Sequence, residues 1–153
     1  MSETSVIPVV FSGKDKYGDF NWMIKQPTYN DAIFLFNENV ESFYNGYSKG
    51  GMGNAIIRPY RYTSPIKAMP IPTGYINFND EGWKGGFRRL DKRTKQIIDD
   101  AFELIYQLIR DRKIKKVFYS AEPDGRLGTS IFHVNEKVID YIMLKLANIL
   151  DLF

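Results

Sequence analysis

Ala32-Ile33-Phe34-Leu35-Phe36-Asn37-Glu38-Asn39, continued by Lys49-Gly50-Gly51-Met52-Gly53-Asn54, is the stretch whose reading decides the fold. Residues 32–36 are all apolar, with no polar alternation. Such a run fits a strand buried on both faces, as at the centre of an α/β sheet. Asn37, Glu38 and Asn39 then stand at its carboxyl end, where ligands sit in open α/β sheets. The glycines that follow let backbone N–H groups approach an anion. Residues 50–57 are predicted to enter a short helix, whose N-terminus adds partial positive charge. Pro59 prevents that helix from running far. Residues 68–71 read as a short strand, made an edge or irregular strand by Pro70 and Pro72.

Toward the C-terminus the pattern is clearer. Asp91 is a candidate N-cap for a helix over residues 91–113, with Ile97, Ile98, Ala101, Phe102, Leu104, Ile105, Leu108 and Ile109 at helical spacing. A strand over 116–120 follows, then a second glycine loop, Asp124-Gly125-Arg126-Leu127-Gly128-Thr129. Asn135 caps a final helix over 136–150. Two glycine loops, each between a strand and a helix, point to a phosphate- or nucleotide-binding cleft. Ordinary tight turns are the alternative for both.

Toward the N-terminus, residues 6–11 read as an edge strand interrupted by Pro8. Residues 12–19 form a turn, and 20–25 are expected to pair as a second strand. Residues 40–47 form a loop or a helical turn. Residues 58–67 are basic and aromatic and read as an exposed connection; residues 75–90 read as a long loop. The sum is a mixed sheet with helices packed on it, an α/β fold.

The chain has 153 residues, which fits a single domain, 1–153. A net charge of +3 is too low for a protein that coats DNA. Without cysteine there is no disulfide framework and no thiolate metal site. No apolar run approaches the ~18 residues of a membrane span. The start, MSETSVIPVVFSG, lacks the basic start and cleavage site of a signal peptide, so a cytoplasmic protein is expected.

The order of strand-end Asn, Gly-Gly loop, Arg and Pro-Thr strand resembles a macro domain. It is similar to a small macro-like branch found in bacteria and their phages. Asn37, Asn39, Gly50, Gly51, Gly53, Arg58 and Pro70-Ile71-Pro72-Thr73 carry the resemblance, which spans roughly residues 31–150. It implies a macro-like three-layer fold and a cleft for ADP-ribose or a related NAD-derived nucleotide. It also implies that Asn39 lies near the distal ribose, with Gly50, Gly51 and Gly53 on one phosphate-side loop and residues 125–129 on the other. The adenine-end Asp would be Asp19 or Asp31. Met52 interrupts the glycine run, where active hydrolases of that family have a longer one.

Candidate catalytic residues are Asn39 and Asp124. Candidate ligand-binding residues are Asn37, Gly50, Gly51, Gly53, Asn54, Arg58, Gly125, Arg126, Gly128 and Thr129. Glu122 and Asp124 flank the second loop and could position a water or a ribose hydroxyl; turn chemistry is the alternative. His133 is the one histidine in the chain, which excludes a two-histidine phosphoesterase. No metal and no cofactor is called for. The expected function is binding of an ADP-ribose-like nucleotide, with removal of ADP-ribose from a target or sequestration of a nucleotide signal as its use. Arg58, Arg61, Lys67, Lys84, Arg88 and Arg89 lie among Tyr60, Tyr62, Tyr75, Trp83 and Phe87. This mix supports the alternative, an interaction or single-stranded nucleic-acid-binding protein using residues 58–89.

Overall fold

A computed structural model describes residues 3–129 and 132–153. The fold is α/β. Five strands form one sheet: β1 (Ser5–Val9), β2 (Ala32–Asn39), β3 (Ala68–Tyr75), β4 (Gly85–Gly86) and β5 (Lys116–Ser120). Their order is β1-β5-β2-β3-β4. The pairs β1–β5, β5–β2 and β2–β3 are parallel, and β3–β4 is antiparallel. β2 and β5 are therefore neighbours in the middle of the sheet, as their apolar runs predict.

Alternation along the strands sends side chains to two separate cores. Ile33 and Leu35 of β2 meet Val117 and Tyr119 of β5 under two long helices, α3 (Lys92–Arg112) and α4 (Glu136–Leu152). Phe34 and Phe36 turn to the other face, with Phe118 of β5. That face is covered by α1 (Phe20–Met23) and by a 3-10 helix, Gly53–Arg61. Phe34 stacks on Phe118 at 5.0 Å, and Phe20 meets Phe34 edge-on at 5.2 Å. Helices thus lie on both faces of the sheet, in three layers.

The two long helices follow their sequence signals. Asp91 accepts from the Thr94 N–H at the start of α3, and Asn135 accepts from the Lys137 N–H at the start of α4. Some of the shorter elements differ in kind or extent from the sequence expectation. Residues 20–25 do not form a strand. Asp19 caps α1 by accepting from the Asn21 N–H, and Phe20 and Met23, one turn apart, are both buried. Residues 40–47 contain a short helix, α2 (Val40–Asn45), capped by Asn39. The helix after the glycine loop does not stop before Pro59. It runs to Arg61 as 3-10 turns with Pro59 inside it.

β3 is longer than expected and wholly buried. The Lys67 carbonyl accepts from the Phe34 N–H, so it faces β2. By alternation Met69 and Ile71 also face β2, and the nitrogens of Pro70 and Pro72 face the side that β4 leaves unpaired. The prolines are thus placed where no ladder donor is needed. Among the described residues, no helix is long and apolar enough to cross a membrane.

Candidate functional site

Because β1, β5, β2 and β3 run parallel, their carboxyl ends open on one edge of the sheet. A cleft of about 860 Å³ lies there, within the ~300–1,000 Å³ of small-molecule sites. Val10 and Phe11 follow β1 into it, Ser120 and Ala121 come from β5, Asn37 to Asn39 from β2, and Thr73 from β3. The first glycine loop, Gly50 to Asn54, forms one wall, and Gly128 and Thr129 of the second loop form another. The two loops therefore converge, as their positions after strands predict.

A buried ion pair holds the floor. Glu38 lies on the Phe34–Phe36 face and meets Arg58 of the 3-10 helix. Arg58 Nε donates to Glu38 Oε2 at 2.7 Å and Nη2 donates to Oε1 at 2.6 Å. The two side chains are 6% and 1% exposed. Hydrogen bonding to Glu38 holds the Arg58 guanidinium above its ordinary pKa, against the burial that pulls it down. Arg58 Nη1 donates to the Lys49 carbonyl at 2.7 Å, which ties the glycine loop to the same pair. Arg58 lines the cleft but is buried, a correction to the exposed connection expected for 58–67. Three of its donors are committed to protein groups, which makes it a brace for the cleft floor rather than a free phosphate ligand.

Two glycines in this wall have specific reasons. Gly53 has φ 60°, in the left-handed region where side chains are disfavoured. A Cβ on Gly51 would lie 3.0 Å from Arg58 Nη1, so glycine permits the close approach of the guanidinium. The Gly51 N–H donates to the Ala55 carbonyl and faces no ligand. The N–H groups of Gly53 and Asn54, at the start of the 3-10 helix, have no acceptor among the described residues. They are the donors this loop can offer an anion.

Asn37 sits one residue from Glu38 and so faces the opposite core. Its Nδ2 donates to the Gly128 carbonyl at 2.5 Å, across 91 residues of chain. Its Oδ1 is buried and has no hydrogen-bond partner among the described residues. Asn39 has a different duty. Its Oδ1 accepts from the Ser42 N–H at 2.7 Å as the cap of α2, and its Nδ2 reaches Glu38 Oε1 at 3.4 Å. Both ends of that amide are engaged, and an amide is no general base.

The second loop divides between two cavities. Asp124 and Arg126 do not line the main cleft; they line an adjoining groove of about 390 Å³ with His133 and Glu136. Asp124 Oδ1 accepts from the Arg126 N–H at 2.9 Å, a local turn bond. Arg126 pairs with Glu136 and Asp140 at 2.8 and 2.9 Å. Gly125 lines neither cavity; its carbonyl accepts from the Tyr119 hydroxyl at 2.5 Å. Glu122, Thr129 and Phe132 line both cavities and join them. Neither adenine-end candidate reaches the cleft: Asp19 caps α1, and Asp31 precedes β2 at the opposite end of the sheet.

Sequence reasoning missed the apolar rim. Phe11 is 58% exposed and Met52 81% exposed, and both line the cleft. Two bulky apolar side chains left in water beside a cleft mark a surface suited to a flat ring. Phe11 was legible only as part of a strand, and its exposure follows from β1 ending at Val9.

The basic and aromatic segment is largely engaged with itself. Arg61 lies over the Phe43 and Tyr62 rings, and Arg88 over Trp83. Arg89 pairs with Glu81 and Asp91, and Arg93 with Asp80 and Glu81. Among the described residues no group of three or more His, Asp or Glu is placed to hold a metal ion. Comparison with protein-family models, with curated proteins and with solved structures found no match to this chain.

Proposed function

We propose that this cleft binds ADP-ribose or a related NAD-derived nucleotide. The observation that carries the proposal is the convergence of two glycine loops at the carboxyl ends of parallel strands. Beside them the Gly53 and Asn54 N–H groups are unclaimed by the rest of the described chain. Backbone donors at a helix start suit a phosphate group. The exposed Phe11 and Met52 suit an adenine face, and the cleft volume suits a ligand of nucleotide size. The resemblance to macro domains points to the same ligand class.

Binding without rapid turnover is the form of the proposal. Removal of ADP-ribose needs a positioned water and a group to activate it. Asn39 is occupied as a helix cap, and Asp124 lies in the adjoining groove. The use that fits is sequestration or recognition of a nucleotide. The test is calorimetric titration with ADP-ribose, NAD, cyclic ADP-ribose isomers and AMP, followed by recovery of the ligand after denaturation. Saturable binding with intact ligand recovered is expected. Rapid multiple turnover that vanishes in Asp124→Ala would replace the binder with a hydrolase. No binding by any of the four would end the proposal.

A further inference from the structure

Glu41 stands in the first turn of α2 and lines the cleft. The partners of its carboxylate are two backbone N–H groups rather than a cation. One oxygen, Oε1, accepts from the Ile76 N–H at 3.1 Å, and the other, Oε2, accepts from the Asn77 N–H at 2.8 Å. Ile76 and Asn77 line the cleft as well. Successive N–H groups along a strand point to opposite sides. Here they converge, because β3 ends at Tyr75 and the chain bends at residues 76 and 77. Two consecutive N–H groups turned to one side form a concavity that holds an anion.

Burial does not require this contact. Ile76 is 54% exposed and Asn77 is exposed too, so water is at hand for both N–H groups. The carboxylate is held there by charge complementarity, and any other oxyanion has the same claim on the donors. The wall around it carries further neutral donors. The Ser42 hydroxyl and the side-chain amides of Asn45 and Asn77 make no hydrogen bond among the described residues, and all three residues line the cleft.

We infer that the Ile76–Asn77 N–H pair is an anion subsite of the cleft, filled by Glu41 in the free protein and taken over by a phosphate or carboxylate group of the ligand. In the exchange Glu41 turns out to water, and the incoming oxyanion accepts the same two N–H groups. No covalent bond changes. Glu41 left in place would set its charge against that ligand. The subsite stands on its own donors. Joined to the nucleotide reading above, on which this last step rests, it narrows the ligand to a nucleotide with an anionic group besides the one held by Gly53 and Asn54.

The experiment follows the Ile76 and Asn77 backbone amide resonances of the native protein and of Glu41→Ala. Each is titrated with inorganic phosphate and, separately, with acetate at constant ionic strength. In Glu41→Ala these resonances are expected to reach half their shift at about tenfold lower concentration of the better anion, since no internal carboxylate competes. Which of the two anions is the better one distinguishes a phosphate from a carboxylate. Glu41→Gln keeps the shape and one acceptor oxygen without the charge, and is expected to fall between. Equal titrations in all three proteins, or no response to either anion in both variants, would overturn the subsite and leave Glu41 a fastener of the loop. If Glu41→Ala loses its folded spectrum, Glu41→Gln against the native protein decides by the same two outcomes. Calorimetry with ADP-ribose keeps the readings apart. No nucleotide binding beside a retained anion response ends the nucleotide proposal and leaves the subsite. Nucleotide binding without any anion response does the reverse.

Discussion

Arg58→Met tests the buried pair on which the cleft floor rests. The substitution keeps an unbranched chain of similar length and removes the charge. It deletes the bonds to Glu38 Oε2 and Oε1 and to the Lys49 carbonyl, at 2.7, 2.6 and 2.7 Å. It also strands the Glu38 carboxylate, whose side chain is 1% exposed. Removing one partner of a buried ion pair costs ~3–5 kcal/mol, because the other charge is left uncompensated. For a chain of this size that is a fall of about 8–15 °C in Tm. The assay is urea denaturation of the native protein and the variant at pH 7. Adding Glu38→Gln to Arg58→Met should recover most of the loss, because no charge is then left buried. A loss below about 1 kcal/mol is the value of a solvated surface pair, and would refute the account of the floor.

Other substitutions separate the cleft from its supports. Gly53→Val places a β-branched residue at φ 60°, and should abolish calorimetric binding of ADP-ribose while lowering the unfolding free energy by ~1–2 kcal/mol. Gly128→Ala should leave urea stability within about 1 kcal/mol, since the new Cβ meets only ordinary contacts from 3.5 Å. Asp91→Ala should cost about 1 kcal/mol by uncapping α3. The Thr94 backbone N–H holds the Asp91 carboxyl below its ordinary value, so the cap contributes above the unfolded-state pKa. That contribution is lost as pH falls through the depressed folded-state value, and the native-minus-variant difference in Tm should shrink in acid.

Several elements were legible because their causes are local. α3 and α4 show helical spacing of apolar residues, and their caps, Asp91 and Asn135, bond to N–H groups two or three residues on. β5 was legible as a short β-branched and aromatic run, and β2 as an apolar run too long and unbroken for a half-exposed strand. Their adjacency followed from the same fact, since a strand buried on both faces belongs inside the sheet. α1 was misread because six residues with mixed polarity fit either period. The Asp19 bond to the Asn21 N–H decided for helix.

The glycine loops and their convergence could be read from strand–loop–helix order. Their chemistry could not. Asn37, Glu38 and Asn39 are consecutive polar residues at a strand end, and nothing in their order separates an orphaned acceptor, a buried ion pair and a helix cap. Strand alternation sends Glu38 to Arg58 and Asn37 to Gly128, contacts separated by 20 and 91 residues of chain. Only the tertiary structure brings such partners together, because burial and charge compensation depend on what the other side of the sheet supplies. The same holds for Asp124, a loop neighbour of Thr129 in sequence that the turn at Gly125 carries into the adjoining groove. Local periodicity and capping thus determined the elements, and long-range packing decided which of their polar side chains face the cleft and which hold the fold.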